Sequence, residues 1–117
     1  MRHLLILNDP PYGTERSFNG LRMAHALAKH DPYGTVTIFL MADAVACAKA
    51  GQKTPEGFYN VERMLGRVLS AGGKVLLCGT CMDARGLAAD DIITGAARST
   101  MDELAETTLA ADKVLVF

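Results

Sequence analysis

The chain has 117 residues, of which 50% are apolar and 21% are charged, a composition typical of a folded domain rather than a disordered segment. This length lies within the range of one domain, so we expect a single domain over residues 1–117. The formal charge is −1, and Lys and Arg do not cluster along the sequence. Direct nucleic-acid binding, which needs a basic surface, is therefore not predicted.

The N-terminal apolar run, from Leu4 to Leu7, is much shorter than a signal sequence or a membrane-spanning helix. Three cysteines are an odd number, and without a signal sequence they do not indicate a disulfide framework. We therefore expect a cytoplasmic protein without membrane association, in which the thiols are free.

Strand-like and helix-like segments alternate along the chain. Apolar runs predict strands at residues 3–7, 35–41, 74–78 and 113–117, and a short fourth strand is expected within residues 92–97. Helical periodicity covers residues 18–30 and, in a second and separate segment, Val61 to Val68. The Ala-rich residues 43–50 predict a short helix. Residues 79–95 are rich in glycine and show no clear pattern beyond one helical turn near Asp90.

Side chains that cap helices mark two helix starts. Asn60 precedes the periodic segment at Val61 and is predicted to cap it. Ser99 and Thr100 are each followed three residues later by an acidic residue, a doubled capping box that predicts the last helix. The residues expected to face inward on that helix are Met101, Leu104, Ala105 and Thr108. Between these helices, residues 51–59 contain two glycines and a proline and are predicted to form the most mobile internal loop.

This alternation predicts an α/β fold, in which right-handed crossovers build a three-layer α/β/α sandwich around a mainly parallel sheet of four to five strands. In such sheets, ligands bind beyond the carboxyl ends of the strands. Three loops are expected at that edge: residues 8–15, 42–59 and 78–86.

The third of these loops holds the reactive groups. Cys78 directly follows a predicted buried strand, so its backbone is held rigidly while the thiol can reach solvent. A helical turn starting at Asp83 would place backbone N–H groups near the thiol, and Arg85 would add a positive charge; both would favour the thiolate. We therefore predict Cys78 as a nucleophile, whereas Cys47, in the Ala-rich segment, is expected to serve packing.

Other interpretations of the polar residues stay open or are disfavoured. Cys78 and Cys81 have the spacing of a dithiol redox motif, but in thioredoxin-like proteins the pair opens a long helix and usually encloses a proline. A zinc site would need two more ligands, and the three histidines lie in a strand and on the first helix, so we predict no metal site. Residues 10–17 lack both glycine-rich phosphate-binding motifs, and a structural turn with Gly13 at positive φ is expected there.

Five short motifs, in order along the chain, resemble the DsrE/DsrF-like family and within it the YchN-like branch. They are Asn8 to Ser17 with its Pro-Tyr-Gly, Phe39-Leu40-Met41-x-Asp43-Ala44-Val45, Gly51-Gln52-Lys53, Leu77-Cys78-x-x-Cys81-x-Asp83-x-Arg85-Gly86, and Ala111-Asp112-Lys113-Val114-Leu115-x-Phe117. The resemblance covers nearly the whole chain. It implies a three-layer α/β/α domain that assembles into trimers or hexamers.

The best-understood members of this family, DsrE and TusD, relay sulfane sulfur as a cysteine persulfide. Their active cysteine stands eight residues before a glycine that follows an arginine, the places that Cys78, Arg85 and Gly86 occupy here. The resemblance therefore implies that Cys78 carries the persulfide and Arg85 stabilises its thiolate. Cys81 has no counterpart in the relay subunits, and it could resolve a persulfide into a Cys78–Cys81 disulfide.

These considerations favour a homo-oligomeric sulfur carrier that needs no cofactor and exchanges sulfur with donor and acceptor proteins. A second hypothesis is a non-catalytic oligomeric module that binds a small ligand between subunits near Tyr12. The candidate ligand contacts are Asn8, Tyr12, Gly13, Gln52 and Asp83. A third hypothesis is a dithiol redox protein. The thiolate of Cys78 is expected to have the lower pKa, and Cys81 to lie in a more adaptable turn.

Overall fold

The computed structural model describes all residues, 1–117, and its apolar runs form one five-stranded sheet. The strands are β1 (Arg2–Leu7), β2 (Thr35–Leu40), β3 (Lys74–Cys78), β4 (Ala97–Ser99) and β5 (Lys113–Val116), in the order β4-β3-β2-β1-β5. All neighbouring strands are parallel. The predicted α/β class with a mainly parallel sheet is confirmed.

Helices cover both faces of this sheet. They are α1 (Arg16–His30), α2 (Val61–Ser70), α3 (Gly79–Ala84) and α4 (Met101–Ala110), with two 3₁₀ helices at Ala42–Ala48 and Ala89–Asp91. The crossovers from β1 to β2 and from β2 to β3 step in one direction across the sheet, so α1 and α2 pack side by side on one face. The connection from β4 to β5 runs back across the sheet, which places α4 on the other face.

The core lies mainly between the sheet and the α1–α2 layer. Leu5 of β1, Ile38 of β2 and Leu77 of β3 are fully buried there. On α1, the apolar side predicted from the sequence faces this core, with Leu21 and Ala24 buried. The sheet therefore presents the carboxyl ends of β1, β2 and β3 on a rigid platform.

The predicted caps Asn60 and Thr100 are confirmed, whereas Ser99 lies in β4 and its hydroxyl donates to the Glu103 carboxylate instead of capping the helix. The side-chain oxygen of Asn60 accepts a hydrogen bond from the backbone N–H of Arg63 at 3.0 Å. The hydroxyl of Thr100 accepts one from the backbone N–H of Glu103 at 3.1 Å. Each cap satisfies an N–H group that has no partner within its own helix.

The inward face predicted for α4 is largely wrong. Of the four residues expected to face inward, only Leu104 is buried, while Met101 is 62% exposed and Ala105 and Thr108 are also exposed. The physical reason is that α4 lies alone on its face of the sheet and packs through a narrow stripe. Apolar side chains therefore remain exposed on α4, and Val114 and Val116 remain exposed on β5.

The glycine-rich segment after β3 is more regular than the sequence indicated. Helix α3 begins at Gly79, directly after the strand, and not at Asp83. The expected fourth strand forms at Ala97–Ser99, beyond most of the predicted range 92–97. The short helix predicted at residues 43–50 is present as the 3₁₀ helix Ala42–Ala48, and the predicted helical turn near Asp90 is present as the 3₁₀ helix Ala89–Asp91.

Residues 51–59 contain no helix or strand, and Lys53 is exposed within them. The backbone N–H of Gln52 donates a hydrogen bond to the Glu62 carboxylate at 2.8 Å, so mobility should be greatest in the residues that follow Gln52. We expect trypsin to cut the native protein first at Lys53, because cleavage needs a locally unfolded segment. A Lys53→Gln variant should delay the first cut, as mass spectrometry of the fragments would show. First cleavage at Arg85 would instead make the loop after β3 the most mobile one.

Candidate active site

The candidate active site is built at the carboxyl end of β3. Cys78 is the last residue of that strand and the N-cap of α3, so its backbone belongs to the sheet. Cys78 pairs in register with Ser99 of β4. Its side chain is 8% exposed, which leaves the sulfur at the border between core and solvent.

Two groups of α3 form hydrogen bonds with the Cys78 sulfur. The backbone N–H of Cys81 donates to Sγ over 3.4 Å, and the hydroxyl Oγ1 of Thr80 lies 3.3 Å from the same atom. Burial raises the pKa of the Cys78 thiol, but hydrogen bonds from the Cys81 thiol, the Thr80 hydroxyl and the backbone N–H groups of both residues outweigh it, so the pKa is lowered from its ordinary value. The thiolate, which is the nucleophilic form, is thereby favoured.

Arg98 supplies a positive charge beside the start of α3, close to Cys78. It lies on β4, and its guanidinium forms two hydrogen bonds with the carboxylate of Asp83, at 2.7 and 2.8 Å. The same guanidinium covers Gly79, where a side-chain carbon would come within 2.7 Å of Nε. The pKa of Arg98 is raised, first by the hydrogen bonds to Asp83 and to a smaller extent by Cys78. Because this attraction is mutual, Arg98 also favours the Cys78 thiolate.

Arg85, which the sequence suggested for that role, points elsewhere. Its guanidinium contacts the Asp43 carboxylate at 2.8 Å and donates to the backbone carbonyl of Cys81 at 3.1 Å. The reason is that α3 begins at Gly79, so Arg85 follows the end of the helix and reaches the 3₁₀ helix Ala42–Ala48. Spacing along the chain could not reveal Arg98, because only the pairing of β4 with β3 brings it to the site.

The second thiol of the motif is held in a different way. Cys81 lies in the first turn of α3, not in a loose turn, and its sulfur accepts the backbone N–H of Ala42 at 3.2 Å. Ala42 is the one non-glycine residue with positive φ, at 51°. Burial, followed by the hydrogen bond with Cys78, raises the pKa of the Cys81 thiol, while the Ala42 amide and Arg85 oppose this less strongly. At neutral pH Cys81 is therefore a protonated thiol beside a more acidic one.

Cys47 has the environment of a packing residue. It is fully buried in the 3₁₀ helix Ala42–Ala48, and its sulfur lies 3.8 Å from the backbone carbonyl of Asp9. Burial raises the pKa of this thiol to about 12, so it stays protonated at neutral pH.

The candidate ligand contacts do not form one site. The hydroxyl of Tyr12 donates to the side-chain carbonyl of Gln52 at 2.6 Å and accepts the N–H of Val61 at 3.1 Å, which joins two loops to the start of α2. Asn8 donates to the backbone carbonyl of Phe117, and Asp83 is paired with Arg98. Gly13 has a φ of 103°, in keeping with the expected turn.

No group of three His, Cys, Asp or Glu side chains lies close enough to hold a metal ion. None of the helices combines the length and the apolar character that crossing a bilayer requires.

Comparison with known proteins places this arrangement in a family. The model of the DsrE/DsrF-like family matches residues 1–117. The chain belongs to the DsrE/DsrF-like family. Protein YchN of Escherichia coli K12 is 43% identical over 114 residues, which are 97% of each chain. An uncharacterized protein of Methanopyrus kandleri is 35% identical over 114 residues, 97% of this chain and 91% of its own length.

Solved structures of similar shape agree with this family. The crystal structure of the E. coli YchN protein covers all of this DsrE-like chain and is covered fully by it, with a TM-score of 0.92 and 43% identity. A protein from Methanobacterium thermoautotrophicum has a TM-score of 0.79 over 97% of both chains at 11% identity, which shows a shared fold alone.

Replacement of Arg98 by glutamine in this DsrE-like protein should raise the pKa of the Cys78 thiol, because a nearby cation that favours the thiolate is lost. A higher pKa leaves less thiolate near pH 7, so alkylation of Cys78 by iodoacetamide should slow roughly severalfold. The rate is measured at each cysteine by peptide mass spectrometry over a pH series. Arg85→Gln is the matched control and should leave the Cys78 rate nearly unchanged. A larger effect from Arg85→Gln would assign the thiolate partner to Arg85 instead.

Proposed function

We propose that this single-domain protein is a sulfur carrier that accepts and hands on sulfane sulfur as a persulfide of Cys78 in intracellular sulfur trafficking. The observation that supports it most directly is the pair of hydrogen bonds at the end of β3, one donated to the Cys78 sulfur by the Cys81 N–H and one between this sulfur and the Thr80 hydroxyl. Membership in the DsrE/DsrF-like family adds a family-level expectation of sulfur relay.

The transfer balances without an external oxidant or reductant. The Cys78 thiolate attacks the outer sulfur of a donor persulfide, a new S–S bond forms at Cys78, and the donor thiolate leaves. In the second step an acceptor thiolate attacks the outer sulfur of the Cys78 persulfide, and the Cys78 thiolate leaves. A low pKa of Cys78 assists both steps, because the thiolate is the attacking species in the first and the leaving group in the second.

The state of Cys81 supports a carrier that keeps its sulfur. An attack by Cys81 on the inner sulfur of the persulfide would form a Cys78–Cys81 disulfide and release hydrosulfide. The raised pKa of Cys81 keeps it largely as the unreactive thiol. The Ala42 N–H also donates a hydrogen bond to the Cys81 sulfur, which restricts the movement of this thiol. We therefore propose that Cys81 modulates the lifetime of the persulfide.

Cyanolysis of the purified protein tests the proposal. After incubation with a persulfide donor and removal of small molecules, the protein should release thiocyanate on treatment with cyanide, and its intact mass should show one added sulfur. Protein that neither gains this mass nor releases thiocyanate would refute the carrier role.

A dithiol redox function is the second candidate. The observation that favours it is that Cys78 and Cys81 stand together at the start of α3, with the N–H of Cys81 directed at the Cys78 sulfur. A disulfide oxidant would then convert both thiols into an internal disulfide, with loss of two hydrogens from the intact mass. The absence of thiocyanate together with this loss of mass would favour the redox function.

We further propose that the carrier is a homo-oligomer, a trimer or a hexamer as the family resemblance implies. The support lies on the α4 side of the molecule, where Leu109 is 88% exposed and Val116 is 66% exposed. Apolar side chains so close in the chain are more often buried between subunits than left in water.

A further inference from the structure

A groove runs between α1 and α2, on the face of the sheet opposite α4, and encloses about 320 Å³. We call it the α1–α2 groove. Three aromatic and three cationic side chains line it: Phe18, Phe58, Tyr59, Arg22, Arg63 and Arg67. Neither cysteine of the candidate active site is among its lining residues.

The three arginines of the groove have no anionic partner. The five ion pairs of the protein involve other cations, and no Asp or Glu lines the groove. Arg22 donates only to the neutral side chain of Asn19, at 3.1 Å. Arg63 and Arg67 are four residues apart on α2, a spacing at which like charges repel each other on a helix. An anion in the groove would remove this repulsion.

The aromatic side chains form a stack at one end of the groove. The rings of Phe18 and Tyr59 are stacked with centroids 4.3 Å apart, and those of Tyr59 and Phe58 are stacked at 4.6 Å. Phe58 is 54% exposed, so a large part of its ring faces solvent. An exposed ring of this kind suits stacking with a planar group of a ligand.

The cationic and aromatic side chains lie next to each other in the groove. Arg22 follows Phe18 by four residues on α1, and its guanidinium lies over the Phe18 ring, 5.6 Å from the ring centroid. Arg63 follows Tyr59 across the start of α2, whose first helical residue is Val61. The groove therefore combines exposed aromatic surface with positive charge, the two kinds of contact that a planar anionic ligand uses.

Two N–H groups at the start of α2 are already hydrogen-bonded, so they do not compete with the arginines for an anion in the groove. The N–H of Val61 is bonded to the Tyr12 hydroxyl, and the N–H of Arg63 is bonded to Asn60. The guanidinium groups are thus the donors that remain available. From this geometry we propose that the α1–α2 groove binds a small anion with a planar ring, of the nucleoside phosphate class. This proposal is independent of sulfur transfer at Cys78.

Calorimetry with AMP, adenosine and ribose 5-phosphate tests both kinds of contact in the groove. AMP should bind, and adenosine and ribose 5-phosphate should each bind at least about tenfold more weakly, since each lacks one of the two contacts. In NMR spectra, AMP should shift the amide signals of residues 58–63. The proposal fails if AMP does not bind at millimolar concentration, if ribose 5-phosphate binds as tightly as AMP, or if the shifts map elsewhere.

Variants at exposed positions separate the contacts without disturbing the core. Arg63→Gln with Arg67→Gln should weaken AMP at least about tenfold, because charge-assisted hydrogen bonds are lost. Phe58→Leu should weaken AMP but not ribose 5-phosphate. Arg2→Gln, which removes the same charge far from the groove, should leave AMP binding unchanged. Equal loss in Arg2→Gln and in the double variant would show a general charge effect and overturn the assignment.

Discussion

The Cys78→Ser variant should lose sulfur loading completely, because a hydroxyl cannot form the persulfide and no other thiol has the same environment. Cys81 is the less acidic neighbour, and Cys47 is buried and protonated. Intact-mass spectrometry after incubation with a persulfide donor should therefore show one added sulfur in the wild type and none in Cys78→Ser. Replacing one barely exposed sulfur by oxygen should change the free energy of unfolding by about 1 kcal/mol, so the variant should stay folded.

Cys81→Ser is the matched control for this experiment. It replaces the Cys81 thiol, whose hydrogen bond helps to lower the Cys78 pKa, by a hydroxyl that can donate in the same way. The backbone N–H of residue 81 and the Thr80 hydroxyl stay in place, so loading should persist. Because the internal attack that releases hydrosulfide is removed, the loaded form should also last longer. Loading that survives in Cys78→Ser but disappears in Cys81→Ser would reverse the two roles.

The double replacement Leu109→Glu with Val116→Glu should convert the oligomer into single chains. Both side chains are highly exposed in one subunit, so the charges cost little in the monomer. At a subunit interface the same carboxylates would be buried without partners, which is strongly unfavourable. Light scattering at micromolar concentration should give the mass of a trimer or hexamer for the wild type and of one chain for the variant.

Met23→Glu provides the control for the oligomer experiment. Met23 is an exposed apolar residue on α1, in the opposite layer. The Met23→Glu substitution should leave the proposed oligomer intact, because the proposed interface lies on the α4 side. A wild type with the mass of one chain would refute the oligomer, and dissociation by Met23→Glu alone would move the interface to the α1–α2 layer.

The sequence predicted the features that depend on local pattern. β3 has the predicted bounds, and the Asn60 and Thr100 caps are both present, because apolar runs and capping side chains act within a few residues. Helix α3 was harder to predict, since six residues that begin with glycine give no periodic signal.

The parts that sequence reasoning missed depend on contacts between distant segments. Arg98 reaches the active-site loop through the pairing of β4 with β3, and Arg22 meets Arg63 and Arg67 only because α1 packs against α2. The exposed side of α4 was missed for a related reason. A helical pattern shows which side of a helix is apolar, but not how much of that side its own chain can cover.

The sheet order has a consequence for the sequence of events in folding. β1, β2 and β3 are adjacent in both sequence and space, whereas β5 must pair with β1 across more than a hundred residues of chain, as the register of His3 with Lys113 shows. Closing such a long loop costs more chain entropy than pairing neighbouring strands, so β5 should be the last strand to pair with the sheet. The same order holds during synthesis, because β5 is made last. The segment that carries Cys78 is thus in place before the apolar side of α4 and β5 exists. Incomplete chains therefore lack the surface by which subunits would associate, and the proposed assembly would be restricted to finished chains.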